Sequence, residues 1–366
     1  MSMSIAGYTI SRDRPPMIIA EISGNHKQSL DRALQMVEAA AENGAHAVKL
    51  QTYTADTMTL PSSDEAYIIK SRQSPWFGRH LYELYEEAYT PWEWHQPIFK
   101  RAKELGIGAF SSAFDISAVK FLESIDTPAY KISSFECCDL QLLAAIARTK
   151  KPVILSCGMA YLSEINLAVD TLRSAGNTDI AILKCTSAYP ADPQESNLTT
   201  IKDLRNHFNC EVGLSDHTLG VTVAIAAVAL GATIIEKHFT LEKNDGAVDS
   251  EFSADPNELQ LLANATKTSW EALGSTTYGP TPSEKMNRYY RRSLYAARDI
   301  AKGRQIESND LVSLRPQLGV DTKYINSVIG SYAESAIVKG QPIKSQLLYP
   351  AIQVSDEVIT ESNLKD

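Results

Sequence analysis

Three kinds of segment are absent from the 366-residue sequence. No apolar run reaches the roughly 18 residues that a membrane-spanning helix needs, so we expect no membrane association. No Walker A or Rossmann glycine pattern is present, so nucleotide chemistry has no support. The N-terminus lacks a basic stretch followed by a long apolar run, so we expect no secretory signal and a cytoplasmic location.

Positive charge and cysteine are both scarce. Lys and Arg number 35 against 44 Asp and Glu, and the net charge of −9 argues against a nucleic-acid partner. The five cysteines include no CxxC pair, and their odd number fits reduced thiols in the cytoplasm. An anionic substrate would therefore need a local basic pocket.

Short β-rich runs alternate with helical segments between residues 17 and 240. The eight runs are 17–23, 47–52, 107–113, 129–134, 153–158, 180–187, 211–217 and 232–240. Eight units in about 250 residues predict an α/β fold, the (β/α)₈ TIM barrel, with a doubly wound open sheet as the alternative. Nearly every run ends in polar residues. This favours the barrel, because its active sites form at the carboxyl ends of the strands.

The other segments predict a two-domain chain. Residues 1–278 form the predicted barrel domain, 279–292 the linker, 293–350 a small β-rich domain and 351–366 a polar tail. The barrel domain contains a long insertion, 53–90, with several aromatic residues. We interpret it either as a lid over a pocket or as a small helix packed on the barrel rim, and both interpretations stay open.

Two histidines, His217 and His238, end consecutive strand runs. Neighbouring parallel strands would bring both imidazoles to the barrel mouth, where they could hold a divalent cation with positions open for water and substrate. Glu236 lies two residues before His238 and therefore shares its face of the strand. The alternative is a pair of hydrogen-bonded core histidines, but the nearby acidic residues favour a metal site.

Lysines also stand at strand ends, where lysine is rare unless it is paired. They are Lys49, Lys131, Lys184 and Lys237. Together with nearby serines they suit a small anion that carries a phosphate and a carboxylate. One of them could instead form a Schiff base with a carbonyl substrate. Strand alternation turns Lys237 away from His238, which favours a structural ion pair for it.

Seven segments resemble the sialic acid synthase family, whose members join phosphoenolpyruvate to an amino-sugar aldehyde. The segments are AEISGNH (20–26), VKLQTY (48–53), AYKISSFE (129–136), LSCGM (155–159), KCTSAYP (184–190), GLSDHT (213–218) and EKHFT (236–240). The small domain, with LRPQLG (314–319), resembles the antifreeze-like (SAF) module of that family. Segments 52–60 and 74–95 are most similar to the branch that makes pseudaminic acid. Ser187 replaces an Asn of the neuraminic acid synthases, which argues against N-acetylmannosamine as the sugar.

The resemblance implies a site, position by position. It implies His217 and His238 as ligands of Mn²⁺, Mg²⁺ or Co²⁺. It implies catalytic roles for Glu21, Lys49, Lys131 and His238, phosphoenolpyruvate contacts for Ser112, Ser134, Ser156, Ser187 and Ser215, and sugar contacts for Gln51, Tyr189 and Asp249. Arg315 of the small domain would reach the barrel of a second copy, which implies a domain-swapped homodimer.

The reaction that this resemblance implies condenses phosphoenolpyruvate with 2,4-diacetamido-2,4,6-trideoxy-L-altrose to a nine-carbon 2-keto acid. Phosphate leaves by C–O cleavage, and the product would serve surface or flagellar glycosylation. Legionaminic or N-acetylneuraminic acid synthesis on the same scaffold is the alternative. A Schiff-base aldolase and a noncatalytic sugar-binding protein are the rivals from other classes.

Overall fold

The computed structural model describes residues 3–353. The chain divides between Gly274 and Ser275 into two compact units. The predicted linker, 279–292, begins just after this division, and its bounds stay a prediction. Most of the predicted tail, from residue 354 onward, lies outside the described residues. Within residues 3–353, no helix combines the length and the apolar character needed to cross a membrane.

Eight parallel strands close into a barrel in the first unit, so the predicted fold class is confirmed. Two antiparallel strands, β1 (Met3–Ile5) and β2 (Tyr8–Ile10), precede it as a hairpin. The barrel strands are β3 (Met17–Glu21), β4 (Ala47–Thr52), β5 (Gly108–Ala113), β6 (Tyr130–Ile132), β7 (Val153–Ser156), β8 (Ile180–Cys185), β9 (Glu211–Asp216) and β10 (Ile234–His238). Pairing of β10 with β3 closes the barrel and excludes an open sheet.

Helices cover the outside of the barrel. They are α1 (Leu30–Glu42), α2 (Ala55–Met58), α3 (Leu81–Ala88), α4 (His95–Glu104), α5 (Ile116–Ser124), α6 (Leu140–Arg148), α7 (Leu162–Ser174), α8 (Thr200–Phe208), α9 (Thr222–Ala229) and α10 (Pro256–Leu273). Side chains start several of them: Ser29 accepts from the Arg32 N–H at α1, and Asp115 accepts two backbone N–H groups at α5. Except for α2 and α3, which lie in the 53–90 insertion, their apolar faces pack on outward strand residues in the larger core.

A second apolar cluster fills the lower interior of the barrel, and we call it the apolar plug. Inward residues of the strands, among them Met17, Phe110 and Ile234, pack there against Ile5 and Ile10 of the hairpin. Side chains two residues further along each strand point inward one layer higher. The plug therefore leaves the carboxyl half of the barrel for the polar strand ends.

One glycine allows the barrel to close at this level. A Cβ added to Gly213 on β9 would collide with the Ile234 carbonyl of β10 and with the Leu183 side chain of β8. The close approach of the two backbones requires a residue without a side chain.

The second unit has a small core of its own. Its elements are β11 (Ser293–Ala296), β12 (Leu311–Leu314), α11 (Ile325–Val328), β13 (Tyr332–Ala333) and β14 (Leu348–Tyr349), with β11 paired to β12 and β13 to β14. Apolar side chains such as Leu294 and Ile343 fill its interior. The fully buried Asp310 carboxylate binds Arg298 at 2.5 Å and Arg304 at 3.3 Å.

Replacing Ile5 with alanine should lower the free energy of unfolding of the first unit by about 2–5 kcal/mol, because it leaves a cavity in the apolar plug. Tryptophan fluorescence during urea unfolding measures this unit, which contains all four tryptophans. The control is Ser4→Ala, an exposed neighbour in β1, which should cost less than about 0.5 kcal/mol. Equal effects of the two variants would contradict a packed plug.

Candidate active site

Four charged side chains fill the barrel above the apolar plug, and we call them the ionic layer. Lys49 Nζ lies 2.5 Å from Glu21 Oε2 and 3.8 Å from Glu236 Oε1, and Lys131 Nζ lies 3.5 Å from the same Glu236 oxygen. Each residue is at most 5% exposed. Register helps to bring them together, since Glu21 on β3 pairs with Lys49 on β4. Buried charges need partners, and here two carboxylates balance two ammonium groups.

Serine hydroxyls surround the ionic layer. Lys49 Nζ donates to Ser112 Oγ at 3.0 Å, and Ser215 Oγ donates to Glu236 Oε1 at 3.1 Å. Ser156, at the end of β7, is buried, and its hydroxyl has no hydrogen-bond partner among the described residues. Glu236 Oε2 is without such a partner in the same part of the chain. A buried polar atom left unpaired costs about 1–3 kcal/mol, so these atoms indicate the position of a polar ligand.

The ionic layer shifts the pKa values of its own members. Burial is the largest cause that raises the pKa of Glu21, and the neighbouring Glu236 adds to it. Burial also opposes ionisation of Glu236, but Lys131 and Lys49 outweigh it and hold the pKa of Glu236 below its ordinary value. Burial lowers the pKa of Lys131. Glu21 is therefore the carboxylate of the layer that takes up a proton most readily.

Two imidazoles meet at the barrel mouth. The ring centroids of His217 and His238 lie 5.4 Å apart, with 62° between the ring planes. His217 Nδ1 donates to the Thr186 carbonyl oxygen at 2.9 Å, so in the neutral ring the other nitrogen carries the lone pair. His238 Nδ1 is 3.6 Å from Asp249 Oδ2. Burial, the largest cause, lowers the pKa of His238 well below its ordinary value, which keeps this ring neutral.

Neutral imidazoles are suitable ligands for a divalent cation. His238 Nδ1 is buried and has no hydrogen-bond partner among the described residues, so it is available to a ligand. Across residues 3–353, no group of three or more His, Cys, Asp or Glu side chains could hold a metal ion. The pair therefore fits only a cation whose remaining positions are filled by water and substrate oxygens.

Two aromatic rings border the imidazoles and a third ring packs on both of them; we call the three rings the aromatic wall. Tyr189 lies 4.4 Å from His217, and Phe252 lies 5.1 Å from His238, measured between ring centroids. Trp76, from the 53–90 insertion, contacts Tyr189 at 5.5 Å and Phe252 at 5.9 Å. The insertion thus contributes to the barrel mouth and also contains two short helices, α2 and α3.

The predicted sugar contacts lie beside these groups. Gln51 Nε2 donates to Glu21 Oε1 at 3.0 Å and to Ser23 Oγ at 2.9 Å. Asp249 is buried beside His238, and burial raises the pKa of its carboxyl group to about 6. These residues form a polar side of the barrel mouth.

Two further predicted serines, Ser134 and Ser187, contact Gly158, which follows β7. The Gly158 N–H donates to Ser134 Oγ at 2.9 Å. A Cβ at Gly158 would collide with the Ser187 hydroxyl, so Ser134 and Ser187 both flank this glycine. Arg315 directly follows β12 in the second unit, and its role at a barrel of another copy stays a prediction.

The other two strand-end lysines lie outside the ionic layer. Lys237 Nζ binds Asp216 Oδ2 at 2.8 Å, and both side chains are almost fully buried. The predicted structural ion pair of Lys237 is therefore confirmed. Lys184 Nζ donates to the Cys185 carbonyl oxygen at 2.8 Å.

The structure adds residues that the sequence analysis did not select. Ser23 could have been found by strand alternation, because it lies two residues after Glu21. Phe252 had no sequence signal, since one apolar residue in a loop after the last strand is ordinary.

A model of the NeuB family matches residues 36–278, and a model of the SAF domain matches residues 291–348. The chain belongs to the NeuB family. The expected resemblance to the sialic acid synthases is confirmed by relatives along almost the whole chain.

Two curated relatives differ in the sugar that their names specify. A pseudaminic acid synthase of Helicobacter pylori is 42% identical over 334 residues, which are 91% of this chain and 97% of the relative. An N,N'-diacetyllegionaminic acid synthase of Legionella pneumophila is 37% identical over 319 residues, which are 86% and 89%. A crystal structure of N-acetylneuraminic acid (sialic acid) synthetase from Leptospira borgpetersenii, in complex with citrate, superposes with a TM-score of 0.70 at 30% identity. It covers 78% of this chain and 95% of its own.

Two serine variants of this NeuB-family site should change stability differently. Ser156→Ala should leave the free energy of unfolding unchanged or raise it by about 1 kcal/mol, because the lost hydroxyl has no partner in the described structure. Ser215→Ala removes a donor to the buried Glu236 and should lower it by about 1–2 kcal/mol. Urea unfolding without substrates measures both. If Ser156→Ala destabilises as much as Ser215→Ala, the ligand position assigned to Ser156 is wrong.

Proposed function

We propose that this NeuB-family chain is a pseudaminic acid synthase. It joins phosphoenolpyruvate to 2,4-diacetamido-2,4,6-trideoxy-L-altrose and releases phosphate. The observation that carries this proposal is the ionic layer beside two imidazoles in one barrel mouth, together with the buried Ser156 hydroxyl, which has no hydrogen-bond partner within residues 3–353. The 42% identity to the Helicobacter pylori enzyme supports the choice of sugar, and legionaminic acid synthesis is the second candidate.

The ionic layer suits phosphoenolpyruvate because that donor carries a phosphate and a carboxylate. Lys49 and Lys131 provide two buried positive charges for these groups, and the hydroxyls of Ser112 and Ser156 provide donors. A bound anion adds negative charge to a layer that is balanced without it. Because its pKa is raised, Glu21 is the carboxylate of the layer that accepts a proton most readily during the reaction.

The chemistry needs one carbon–carbon bond and one carbon–oxygen cleavage. C3 of phosphoenolpyruvate attacks the aldehyde carbon of the open-chain sugar, and positive charge develops at C2. Water adds at C2 and loses a proton, for which Glu21 is the group that we assign. Phosphate then leaves with the former bridging oxygen, and the 2-keto group remains. The two lysines hold the donor in place and stabilise its anionic oxygens throughout.

His217 and His238 would hold Mn²⁺, Mg²⁺ or Co²⁺. When bound, such a cation supplies a Lewis acid for a carbonyl oxygen. The protein's own contribution is to keep His238 neutral by burial and to fix the His217 ring through Thr186.

Two finer statements rest on the family resemblance. We propose a domain-swapped homodimer in which Arg315 of the SAF domain completes the barrel site of a second copy. We also propose a cytoplasmic location, where phosphoenolpyruvate is available.

Turnover with labelled donor tests the proposed function. Phosphoenolpyruvate carrying ¹⁸O in the bridging position is incubated with the protein, a divalent metal and a panel of acetamido sugars. We expect phosphate release only with the L-altro sugar, with the label in the phosphate and a nine-carbon keto acid identified by NMR. Preference for the legionaminic acid precursor would favour the second candidate. Release with none of the sugars, or trapping of a lysine by borohydride with pyruvate, would contradict the proposal.

Removal of metal should stop phosphate release, and added Mn²⁺ or Mg²⁺ should restore it, because His217 and His238 would have lost their cation. His238→Ala should stay folded but retain less metal, measured by mass spectrometry of the dialysed protein. The matched control is His207→Ala, an exposed histidine hydrogen-bonded to Asn166, which should keep both metal and activity. Full turnover after chelation would refute the role of the paired imidazoles.

A further inference from the structure

The aromatic wall gives the barrel mouth one side with little hydrogen-bonding capacity. Phe252 has no polar group, Trp76 already donates its indole N–H to the Val248 carbonyl oxygen at 2.9 Å, and the Tyr189 hydroxyl is the one other polar group of the wall. The three rings pack against one another, with centroids 5.2 to 5.9 Å apart. Phe252 is buried, so the half-buried rings of Trp76 and Tyr189 provide the surface that suits an apolar group of a ligand.

The polar side of the mouth has the opposite character. Glu21, Gln51 and Ser23 form a connected set of hydrogen bonds, and Asp249 lies beside His238. Hydroxyl and amide groups of a sugar find partners on this side. A molecule that binds across both sides must carry polar groups along most of its length and an apolar group at one place.

We infer that the aromatic wall is the subsite for the C6 methyl group of the sugar, and that Trp76 sets the preference for a 6-deoxy over a 6-hydroxy sugar. This inference rests on the proposed function, which places the aldehyde carbon at the imidazoles and the ionic layer. The far end of the sugar is then its C6 methyl group, and Trp76, which packs on Tyr189 and Phe252, is the part of the wall farthest from the imidazoles. Burying that methyl against the rings of Trp76 and Tyr189, which pack on the buried Phe252, is favourable. A hydroxymethyl group there would place its hydroxyl against ring surface whose one polar group is the Tyr189 hydroxyl.

Trp76 is separated from the imidazoles by the rings of Tyr189 and Phe252. Its ring packs on Tyr189 and Phe252, and its indole N–H donates to the Val248 carbonyl oxygen. It comes from the 53–90 insertion and not from a barrel strand, so the ionic layer is positioned independently of it. The next residue, Phe77, is 53% exposed and serves as a matched control.

The experiment compares kcat/KM for two sugars that differ only in a methyl or a hydroxymethyl group at C6. The wild-type protein should prefer the 6-deoxy sugar by about 100-fold, which is the discrimination that an apolar pocket achieves against an added hydroxyl. Trp76→Ala should reduce this ratio to about 10-fold or less, with the KM for phosphoenolpyruvate unchanged. Trp76→Phe keeps an apolar ring and should retain most of the preference. Phe77→Ala should retain all of it.

The outcomes separate this inference from the proposed function. If the wild-type protein turns over and Trp76→Ala leaves the ratio unchanged, the inference is wrong and the proposed function stands. An equal loss for both sugars would assign Trp76 a structural role, through Val248, and would also overturn it. A ratio that responds to the size of the N-acyl groups but not to C6 would place the acyl methyl on the wall instead. If the wild-type protein releases no phosphate with either sugar, the proposed function fails and the inference falls with it.

Discussion

The balance of two carboxylates and two ammonium groups inside a closed barrel is the constraint on which the site depends. Water reaches Glu21, Lys49, Lys131 and Glu236 poorly, so each group is ionised or neutral according to its neighbours. The apolar plug below the layer offers these groups no polar partner, so their ionisation depends on one another. Any anion that enters must therefore be matched by the same lysines that now bind the glutamates. The lysines can bind either the glutamates or an entering anion within the same small volume. The layer can therefore be a stable core without the anion and a binding site with it.

The barrel mouth extends this arrangement outward. The imidazoles lie between a polar side and the aromatic wall, so one opening contains charge, neutral nitrogen ligands, hydrogen-bonding groups and apolar surface in neighbouring positions. The charged groups and the imidazoles come from strand ends, whereas the aromatic wall comes from the 53–90 insertion and the loops after β8 and β10. Insertions and loops can change in evolution without unfolding the barrel, which suits a family whose named members act on different sugars.

Much of this could be predicted from the sequence because barrel strands are regular. Apolar runs with polar ends identified all eight strands, and the position of Lys49, Lys131, His217 and His238 at strand ends predicted that they share one opening. The partner of Glu236 could not be predicted, since strand spacing does not decide between lysines and imidazoles. The aromatic wall could not be predicted either, because Trp76, Tyr189 and Phe252 are far apart in sequence and only the loop conformations bring them together. The hairpin of β1 and β2 was missed because two three-residue strands leave a weak pattern.

The floor of the barrel has a consequence for the order in which the molecule is made. The hairpin is translated before the barrel strands, whereas Ile234, which packs against it in the apolar plug, lies in the last of those strands. Parallel closure of β3 with β10 joins distant parts of the chain and is intrinsically slow. The apolar face of the hairpin and of the early strands therefore stays exposed while the rest of the barrel is translated. Chaperones bind apolar surface of this kind. A product released before β10 would have neither a sealed base nor its second imidazole.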